Sequence, residues 1–234
     1  MIQLSHTGTA GDAHTTGASN TLIGYNTSGP LTGNKNTAIG AGAMQDVDAG
    51  STSGGSSNNT FVGFEAGGGT WANVASNGNT AVGQNAMDAA LNGALYNTAL
   101  GSLALGALTE GDNNVAIGYQ AGYSNSEGDR NIFIGFQAGY YETGDNTLYI
   151  ASNSDSSSPT LYGDLSTDQI AIGTTNVGTY ELMVAGDGMF SQNLNVSGNS
   201  LVSGALDVSG ASSFLDTLSV NDLILPIFLI EGKN

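Results

Sequence analysis

A five-residue motif that opens with Asn and closes with Gly recurs along more than half of the chain. Its clearest copy, residues 114–118, reads Asn-Val-Ala-Ile-Gly. Close copies begin at Asn20, Asn36, Asn59, Asn79, Asn97 and Asn131, and a degraded copy without the glycine begins at Asn146. Successive Asn residues are 15 to 23 residues apart. A short unit returning at this period is typical of a solenoid-like stack of coils.

Each motif is predicted to be a short strand. Side chains alternate across a strand, so the second and fourth residues share one side and the third lies on the other. In the clearest copy, Val115 and Ile117 point one way and Ala116 the other. Apolar residues on both sides predict that both are covered, one by the interior of the chain's own coil and the other by an identical chain.

The residues that flank each strand predict its turns and its cross-links. A closing glycine, such as Gly118 or Gly135, supplies backbone angles that other residues avoid, and so turns the chain out of the strand. Stacked coils are expected to align the opening asparagines, such as Asn114 and Asn131, into an amide ladder. Later copies follow Gly-Asp turns, whose aspartates are Asp112, Asp129 and Asp145.

A second and stricter repeat, with a period of 12 residues, begins at residue 181. Its leucines and valines are Leu182, Leu194, Leu206 and Leu218, and Val184, Val196, Val208 and Val220. The Leu-x-Val alternation predicts a strand in each unit. Units this short cannot form a core alone, so we expect three chains wound about one axis, with a monomeric sheet as the alternative.

The predicted fold class is therefore all-β: a repetitive β-roll or solenoid followed by a 12-residue-repeat β-stalk, intertwined as an elongated homotrimer. The predicted segments are an N-terminal segment (1–19), the pentad-repeat solenoid (20–152), a connector of two short strands (153–180), the stalk (181–222) and an apolar docking segment (223–234). Residues 223–230 are too apolar for a free tail, so we expect them to plug the trimer axis or to dock onto a further component.

Composition excludes several classes of function. The chain has 3 basic and 20 acidic residues, for a net charge of -17, and nucleic acid is not expected as a partner because phosphates must be neutralised by Lys and Arg. It has no cysteine, hence no disulfide and no thiolate metal site. Residues 1–6 do not resemble a secretory signal, and the longest apolar run, 223–230, is too short for a membrane-spanning helix.

Candidate chemistry is sparse. The two histidines, His6 and His14, form no triad-like constellation, and no carboxylate pair stands out, so an enzyme is not expected. No cofactor is expected, although Asp112, Asp129 and Asp145 offer oxygen ligands suited to calcium. Turn formation explains the same aspartates.

Two groups of side chains are candidates for contacts with a ligand. Aromatic rings could stack on sugars, or pack between chains instead, and the candidates are Tyr119, Tyr123, Phe136, Tyr140 and Tyr141. Threonines at the second motif position suggest ice binding, and they are Thr21, Thr37, Thr60, Thr80 and Thr98. Ice binding needs a flat array of evenly spaced threonines, and the uneven intervals between the motifs argue against such an array.

The motifs and their continuations, such as residues 117–122 (Ile-Gly-Tyr-Gln-Ala-Gly) and 134–139 (Ile-Gly-Phe-Gln-Ala-Gly), resemble two related groups of proteins. One is the head repeats of trimeric autotransporter adhesins. The other is the tail-fibre-like proteins of phages and bacteria that often end in an endosialidase-type intramolecular chaperone. Residues 162–175, followed by 182–184, look like the connector of those fibre proteins.

The resemblance implies a trimeric, elongated β-structure at a virion or a cell surface. The expected function is that of a structural and adhesive fibre of a phage tail or similar particle. Its expected partners are itself, other fibre or baseplate subunits, and a host-surface glycan or protein. A bacterial cell-surface trimeric adhesin or an extracellular filament subunit is the alternative. The repeat residues expected to carry the fold are Asn114, Ile117, Gly118, Asn131, Ile134, Gly135, Leu194, Val196, Leu206 and Val208.

Overall fold

The structure, a computed structural model, describes residues 2–4, 17–27, 32–45, 55–71, 74–154, 157–179 and 181–188, all within one compact unit. The stalk residues Leu194, Val196, Leu206 and Val208, and the docking segment 223–234, lie outside the described residues. The described residues are all-β and contain no helix. Their strands are β1 (Ile2–Leu4), β2 (Thr21–Ile23), β3 (Thr37–Ile39), β4 (Thr60–Val62), β5 (Thr80–Val82), β6 (Thr98–Leu100), β7 (Val115–Ile117), β8 (Ile132–Ile134), β9 (Thr147–Ile150), β10 (Leu161–Asp164), β11 (Gln169–Ile172) and β12 (Leu182–Val184).

All twelve strands form one sheet in chain order, which confirms the predicted solenoid. Strands β1 to β9 are parallel, each paired with the next, so the chain makes one coil between neighbouring strands. β10 is antiparallel to both β9 and β11, and β12 is parallel to β11. The two strands predicted for the connector are therefore β10 and β11. Coils 1 to 8 are numbered here by their strands, β2 to β9.

The degraded eighth copy is shifted by one residue from its predicted register. β9 pairs Leu148 with Ile132, so Thr147, not Asn146, takes the position of the opening asparagine. Thr147 N donates to Asn131 Oδ1 at 2.8 Å, as an asparagine backbone does in the other coils. Ala151 then stands where the other coils have the closing glycine, and its N–H bonds to the Ile134 carbonyl at 3.1 Å. In this register the eighth copy has neither the opening asparagine nor the closing glycine, so its register could not be read from the sequence.

The interior of the solenoid is filled from two positions in each coil. The third motif residue points inward and is buried, as predicted for one side of the strand. Seven residues after the opening asparagine, a buried alanine forms the opposite wall, at Ala43, Ala66, Ala86, Ala104, Ala121 and Ala138. Trp71 closes coil 3, with its ring edge on Phe61 at 5.5 Å and its Nε1 donating to the Gly67 carbonyl at 3.0 Å.

Core volume is balanced within a coil and between neighbouring coils, since a Cβ on Gly122 of coil 6 would also overlap the Phe133 ring of coil 7. Where the third motif residue is Phe133, the residue six positions later is Gly139, and a Cβ there would overlap the phenyl ring. Where the third residue is Ala81, the corresponding residue is the fully buried Met87. Both Gly139 (φ 61°) and Met87 (φ 50°) have left-handed backbone angles, so the side chain changes while the backbone is preserved.

The predicted amide ladder is present and is buried. In coil 6, Asn114 Oδ1 accepts the Asn131 N–H at 2.9 Å, and Asn114 Nδ2 donates to the Gly128 carbonyl at 2.7 Å. The same backbone-to-Oδ1 bond, at 2.8 to 2.9 Å, joins successive asparagines from Asn20 to Asn131. Each amide thereby satisfies backbone groups that water cannot reach, which is the requirement for buried polar atoms.

The closing glycine is needed for two reasons. Gly118 has φ 134°, an angle that side-chained residues avoid, as the sequence predicted. In addition, a Cβ on Gly118 would overlap the backbone of Gly135 in the next coil. The tight stacking of coils therefore excludes a side chain at this corner independently of the backbone angle.

The ladder predicts a position-dependent effect of one chemical change. Asn114→Asp replaces the Nδ2 donor by an oxygen that faces the Gly128 carbonyl, so we expect a loss of about 2 kcal/mol or more in the free energy of unfolding. The exposed neighbour Asn113 offers the matched control, and Asn113→Asp should change stability by less than about 0.5 kcal/mol. Chemical unfolding followed by circular dichroism measures both. Equal losses at the two positions would contradict a structural ladder.

The balance of core volumes predicts compensation between two residues. Phe133→Ala should cost about 3–5 kcal/mol by leaving a cavity. Gly139→Met should also destabilise, because its side chain collides with the phenyl ring. The double variant reproduces the Ala81–Met87 arrangement, so it should be more stable than either single variant. Melting temperatures of the four proteins give the coupling, and additive losses would rule out the proposed exchange of volume.

Candidate functional site

The outward side of the sheet carries two columns of residues without a charge. The fourth motif positions form an aliphatic column, made by Ile23, Ile39, Val62, Val82, Leu100, Ile117, Ile134 and Ile150. Leu100 is 49% exposed and Ile117 39%. The chain's own coil therefore covers one side of the sheet, and the described residues leave the other side open.

The aliphatic column continues beyond the solenoid. Leu161 pairs with both Ile150 and Ile172, and Ile172 pairs with Val184, so β10 to β12 extend the same column. Ile172 and Val184 are exposed, at 42% and 38%. Apolar residues are thus kept on this side even where the chain no longer forms a coil behind the sheet.

The second motif positions form a threonine column in strict register, against expectation. Thr21, Thr37, Thr60, Thr80 and Thr98 pair in sequence although the intervals between them range from 16 to 23 residues. The variable residues lie outside the strands and leave the strand spacing untouched, which the sequence argument overlooked. From coil 6 onward, Val115, Ile132 and Leu148 replace threonine.

Two of the candidate aromatic residues form a stack at the corner after the strand. Tyr119 and Phe136 lie one coil apart, with ring centroids at 5.5 Å and planes at 18°. The residues that follow these two rings in the chain are also paired, since Gln137 Nε2 donates to Gln120 Oε1 at 2.7 Å. Each ring covers one side of the other, so this pair is partly used to hold coil 6 to coil 7.

The other three candidates form a second stack. Tyr123 and Tyr140 are parallel, with centroids at 5.1 Å, and Tyr141 packs its edge on Tyr140 at 4.7 Å. The free side of Tyr123 lies on Gly106, where a Cβ would be 2.8 Å from the ring. Desolvation and the neighbouring tyrosines raise the pKa of Tyr140. The structure therefore brings all five candidates together on coils 6 and 7, but mainly in contact with one another.

A buried polar contact closes the last full coil. Tyr149 donates its hydroxyl to Glu142 Oε2 at 2.8 Å and packs against Tyr162 with centroids at 5.1 Å. Burial, followed by the contact with Glu142, raises the pKa of Tyr149, so this hydroxyl stays neutral. The remaining oxygen, Glu142 Oε1, accepts the N–H groups of Thr143 and Gly144. The arrangement joins coil 7 to the β9–β10 hairpin and leaves the carboxylate with donors on both oxygens.

The three candidate calcium ligands form a second ladder. Asp129 Oδ1 accepts the Asp112 N–H at 2.7 Å, and Asp145 Oδ1 accepts the Asp129 N–H at 2.8 Å. Asp112 Oδ1 likewise accepts the Leu95 N–H at 2.7 Å. This ladder runs opposite to the asparagine ladder, because each side chain here accepts from the preceding coil. No group of three or more His, Cys, Asp or Glu side chains suited to a metal ion occurs among the described residues.

An open cleft of about 300 Å³ lies at the other end of the solenoid, against coils 1 to 3. It is lined by Ala18, Ser19, Asn34, Lys35, Ser57 and Asn58. Ala18 N donates to Asn34 Oδ1 at 2.7 Å, and Asn34 N donates to Ser57 Oγ at 2.9 Å, so the lining continues the second ladder. The side chains of Asn34 and Ser57 are thus engaged in holding the coils together.

Comparison with known proteins found no significant match to this chain. No protein-family model matches the chain, and neither the curated proteins nor the solved structures searched contain a significant match. In the part of the chain that the structure describes, no helix has the length and apolar character needed to cross a bilayer.

The second ladder predicts that its aspartates stabilise the fold through a hydrogen-bond-accepting oxygen and not through their negative charge. Asp129→Ala removes the acceptor of the Asp112 N–H and should cost about 1–2 kcal/mol. Asp129→Asn keeps an oxygen there and should lose less than half as much. Thermal melting in calcium chloride and in EDTA provides the comparison. If the two variants lose equally, and calcium stabilises only the unmodified protein, the aspartates act as calcium ligands instead.

Proposed function

We propose that the chain is a subunit of a homotrimeric, structural and adhesive fibre of a phage tail or similar particle. In this proposal the solenoid of coils 1 to 8 forms the head or shaft and the 12-residue repeats form the stalk. The fibre projects from the particle and contacts a glycan or protein on the host surface, while other fibre or baseplate subunits hold its base. No catalytic role is assigned to the chain.

The aliphatic column is the observation that carries this proposal. It runs through the eleven strands β2 to β12 without a polar interruption. Parallel strands are about 4.8 Å apart, so the column is roughly 50 Å long. With its neighbouring column it presents an area on the order of 500 Å², at the upper end of what single soluble chains expose. Burial against identical chains accounts for both its length and its lack of charge.

A closed assembly of identical chains suits this surface, and the resemblance to fibre proteins favours three chains. Identical strips that meet around an axis cover one another completely and leave no strip at the outside. The acidic residues, which give each chain a charge of -17, lie outside both columns. Charges can thus remain in water on the outer surface, where they favour solubility and repel other fibres.

The adhesive part of the proposal is supported by the fibre-like motifs and by the aromatic residues at the coil corners. A bacterial cell-surface trimeric adhesin or an extracellular filament subunit is the alternative setting, since the same trimer would serve either. Particle and cell surface are distinguished by locating the protein with an antibody on purified virions and on intact bacterial cells.

Ice binding is the second candidate, and the strict register of the threonine column favours it. Evenly spaced threonines on a flat sheet present a regular array of hydroxyl and methyl groups. The replacement of threonine by Val115, Ile132 and Leu148 in later coils favours burial against protein instead. Ice binding and trimer formation need the same surface. Ice binding therefore requires a monomer with this surface free, whereas the fibre requires a trimer in which it is buried.

The trimer predicts the effect of charges placed in the aliphatic column. The unmodified protein should sediment as an elongated particle of three 23.5 kDa chains. The double variant Ile117→Asp/Ile134→Asp should sediment as a monomer, because burying carboxylates at the axis is costly. The matched control, Asn58→Asp/Asn113→Asp, adds the same charge at exposed corners and should remain trimeric. Sedimentation velocity measures mass and elongation together.

A compact monomer of the unmodified protein would contradict the trimer. Thermal hysteresis should then be measured on the unmodified protein and on Thr60→Leu/Thr80→Leu. Hysteresis that these changes abolish would establish ice binding as the function of the open side of the sheet.

A further inference from the structure

The corner that follows each strand holds aromatic rings in coils 1, 3, 6 and 7. These residues occupy the same position, five residues after the opening asparagine, and are Tyr25, Phe64, Tyr119 and Phe136. Rings in adjacent coils stack on each other, as Tyr119 and Phe136 do at 5.5 Å. Tyr25 and Phe64 are two coils apart, and neither stacks on another ring among the described residues. They are 62% and 51% exposed.

Coil 2, which lies between these two rings, has only small residues, an alanine and a glycine, at two adjacent positions. Its corner residues are Ala41 and Gly42, whereas the equivalent residues of coil 3 are Phe64 and Glu65. Equivalent positions two coils apart are separated by about 9.6 Å, a spacing that would admit one further ring between rings that stand over Tyr25 and Phe64. We call this space the coil-2 slot, with Tyr25 and Phe64 as its walls and Ala41 and Gly42 as its floor.

One side of the slot carries a hydrogen-bond acceptor. Glu65 and Gln45 both lie beside Gly42, since a Cβ there would be 3.0 Å from Glu65 Cγ and 3.3 Å from Gln45 Oε1. Glu65 Oε2 accepts from Asn85 Nδ2 at 3.2 Å, which holds the Glu65 side chain in place. Its Oε1 has no partner among the described residues. The slot thus combines two aromatic walls with a carboxylate at the edge.

We infer that the coil-2 slot binds one pyranose ring of a neutral host glycan, which would be the contact point of the proposed adhesive fibre and rests on that function. A pyranose has apolar C–H groups on both faces and hydroxyls around its rim. The C–H groups pack on the negative faces of Tyr25 and Phe64, and a rim hydroxyl donates to Glu65. Glu65 and the net charge of -17 oppose anionic sugars.

The walls of the slot, Tyr25 and Phe64, occupy the same corner position as the candidates Tyr119 and Phe136 but differ from them in lacking a stacked neighbour. Tyr123 and Tyr140 are covered on both sides by Gly106, by each other and by Tyr141, which leaves little ring surface for a sugar. The distinction depends on whether aromatic residues fall in consecutive or in alternate coils. Consecutive rings close the gap between coils, and alternate rings leave it open.

The test uses the full-length protein in its native assembly and a panel of soluble oligosaccharides. Gluco-, manno-, galacto- and N-acetylglucosamine hexasaccharides are the neutral probes, and a sialylated oligosaccharide is the anionic one. Titration calorimetry should detect at least one neutral probe and weaker or no binding of the sialylated one. Tyr25→Ala and Phe64→Ala should each weaken binding about ten-fold.

The decisive variant fills the slot without removing a contact. Ala41→Tyr places a ring where Tyr119 has one in its own coil, so it should extend the aromatic stack, keep the melting temperature and abolish binding. Gln84→Tyr adds a ring to the same column on the far side of Phe64, and Tyr96→Ala removes an exposed ring outside the slot. Both controls should bind within about two-fold of the unmodified protein.

The outcomes separate this inference from the proposed function. Sugar binding that Ala41→Tyr leaves unchanged overturns the slot while adhesion stands. Binding of the trimer to host cells without binding of any neutral probe also overturns the slot alone. If the trimer binds neither cells nor sugars, both the slot and the adhesive function fall. Loss of cell binding in Ala41→Tyr, with both controls unaffected, supports the two together.

Discussion

The buried asparagine ladder is the interaction on which the rest of this structure depends. Each amide bonds the backbone of the next coil on both its oxygen and its nitrogen, as Asn114 does with Asn131 and Gly128. A three-residue strand provides few hydrogen bonds of its own, so a coil without this amide would leave buried backbone groups unpaired. The ladder fixes the register of strands β2 to β9, and the register in turn aligns the outward columns and the corner residues of the coils.

Two ladders of opposite direction bracket the turns before the strands of the later coils. Asparagine side chains accept from the following coil, whereas Asp112, Asp129 and Asp145 accept from the preceding one. Between them lies a residue with a left-handed backbone, such as Asn113 or Arg130. The turn is thus held from above and below, which lets the chain insert variable loops elsewhere in the coil without disturbing the strands.

The same periodicity that builds the core decides which side chains are available for function. Inward positions are small or exchange volume within a coil, as Phe133 does with Gly139, while outward positions repeat every coil at one height. Equivalent residues of successive coils therefore form columns on the surface. An unbroken aliphatic column suits association with identical chains, and a gap in an aromatic column, as at Ala41, suits a single inserted ring.

The repeat by itself determined the all-β solenoid, the division of motif residues between two sides of the sheet, the amide ladder and the turn-forming glycines, because each follows from alternation and from stacking of equal units. Only the tertiary structure decided the register of the eighth coil, where Thr147 replaces the asparagine. It also decided that the threonines align despite unequal intervals, since loop length does not alter strand spacing. Finally, it separated packed rings such as Tyr123 from open ones such as Tyr25, because the contact between rings depends on which coils are neighbours.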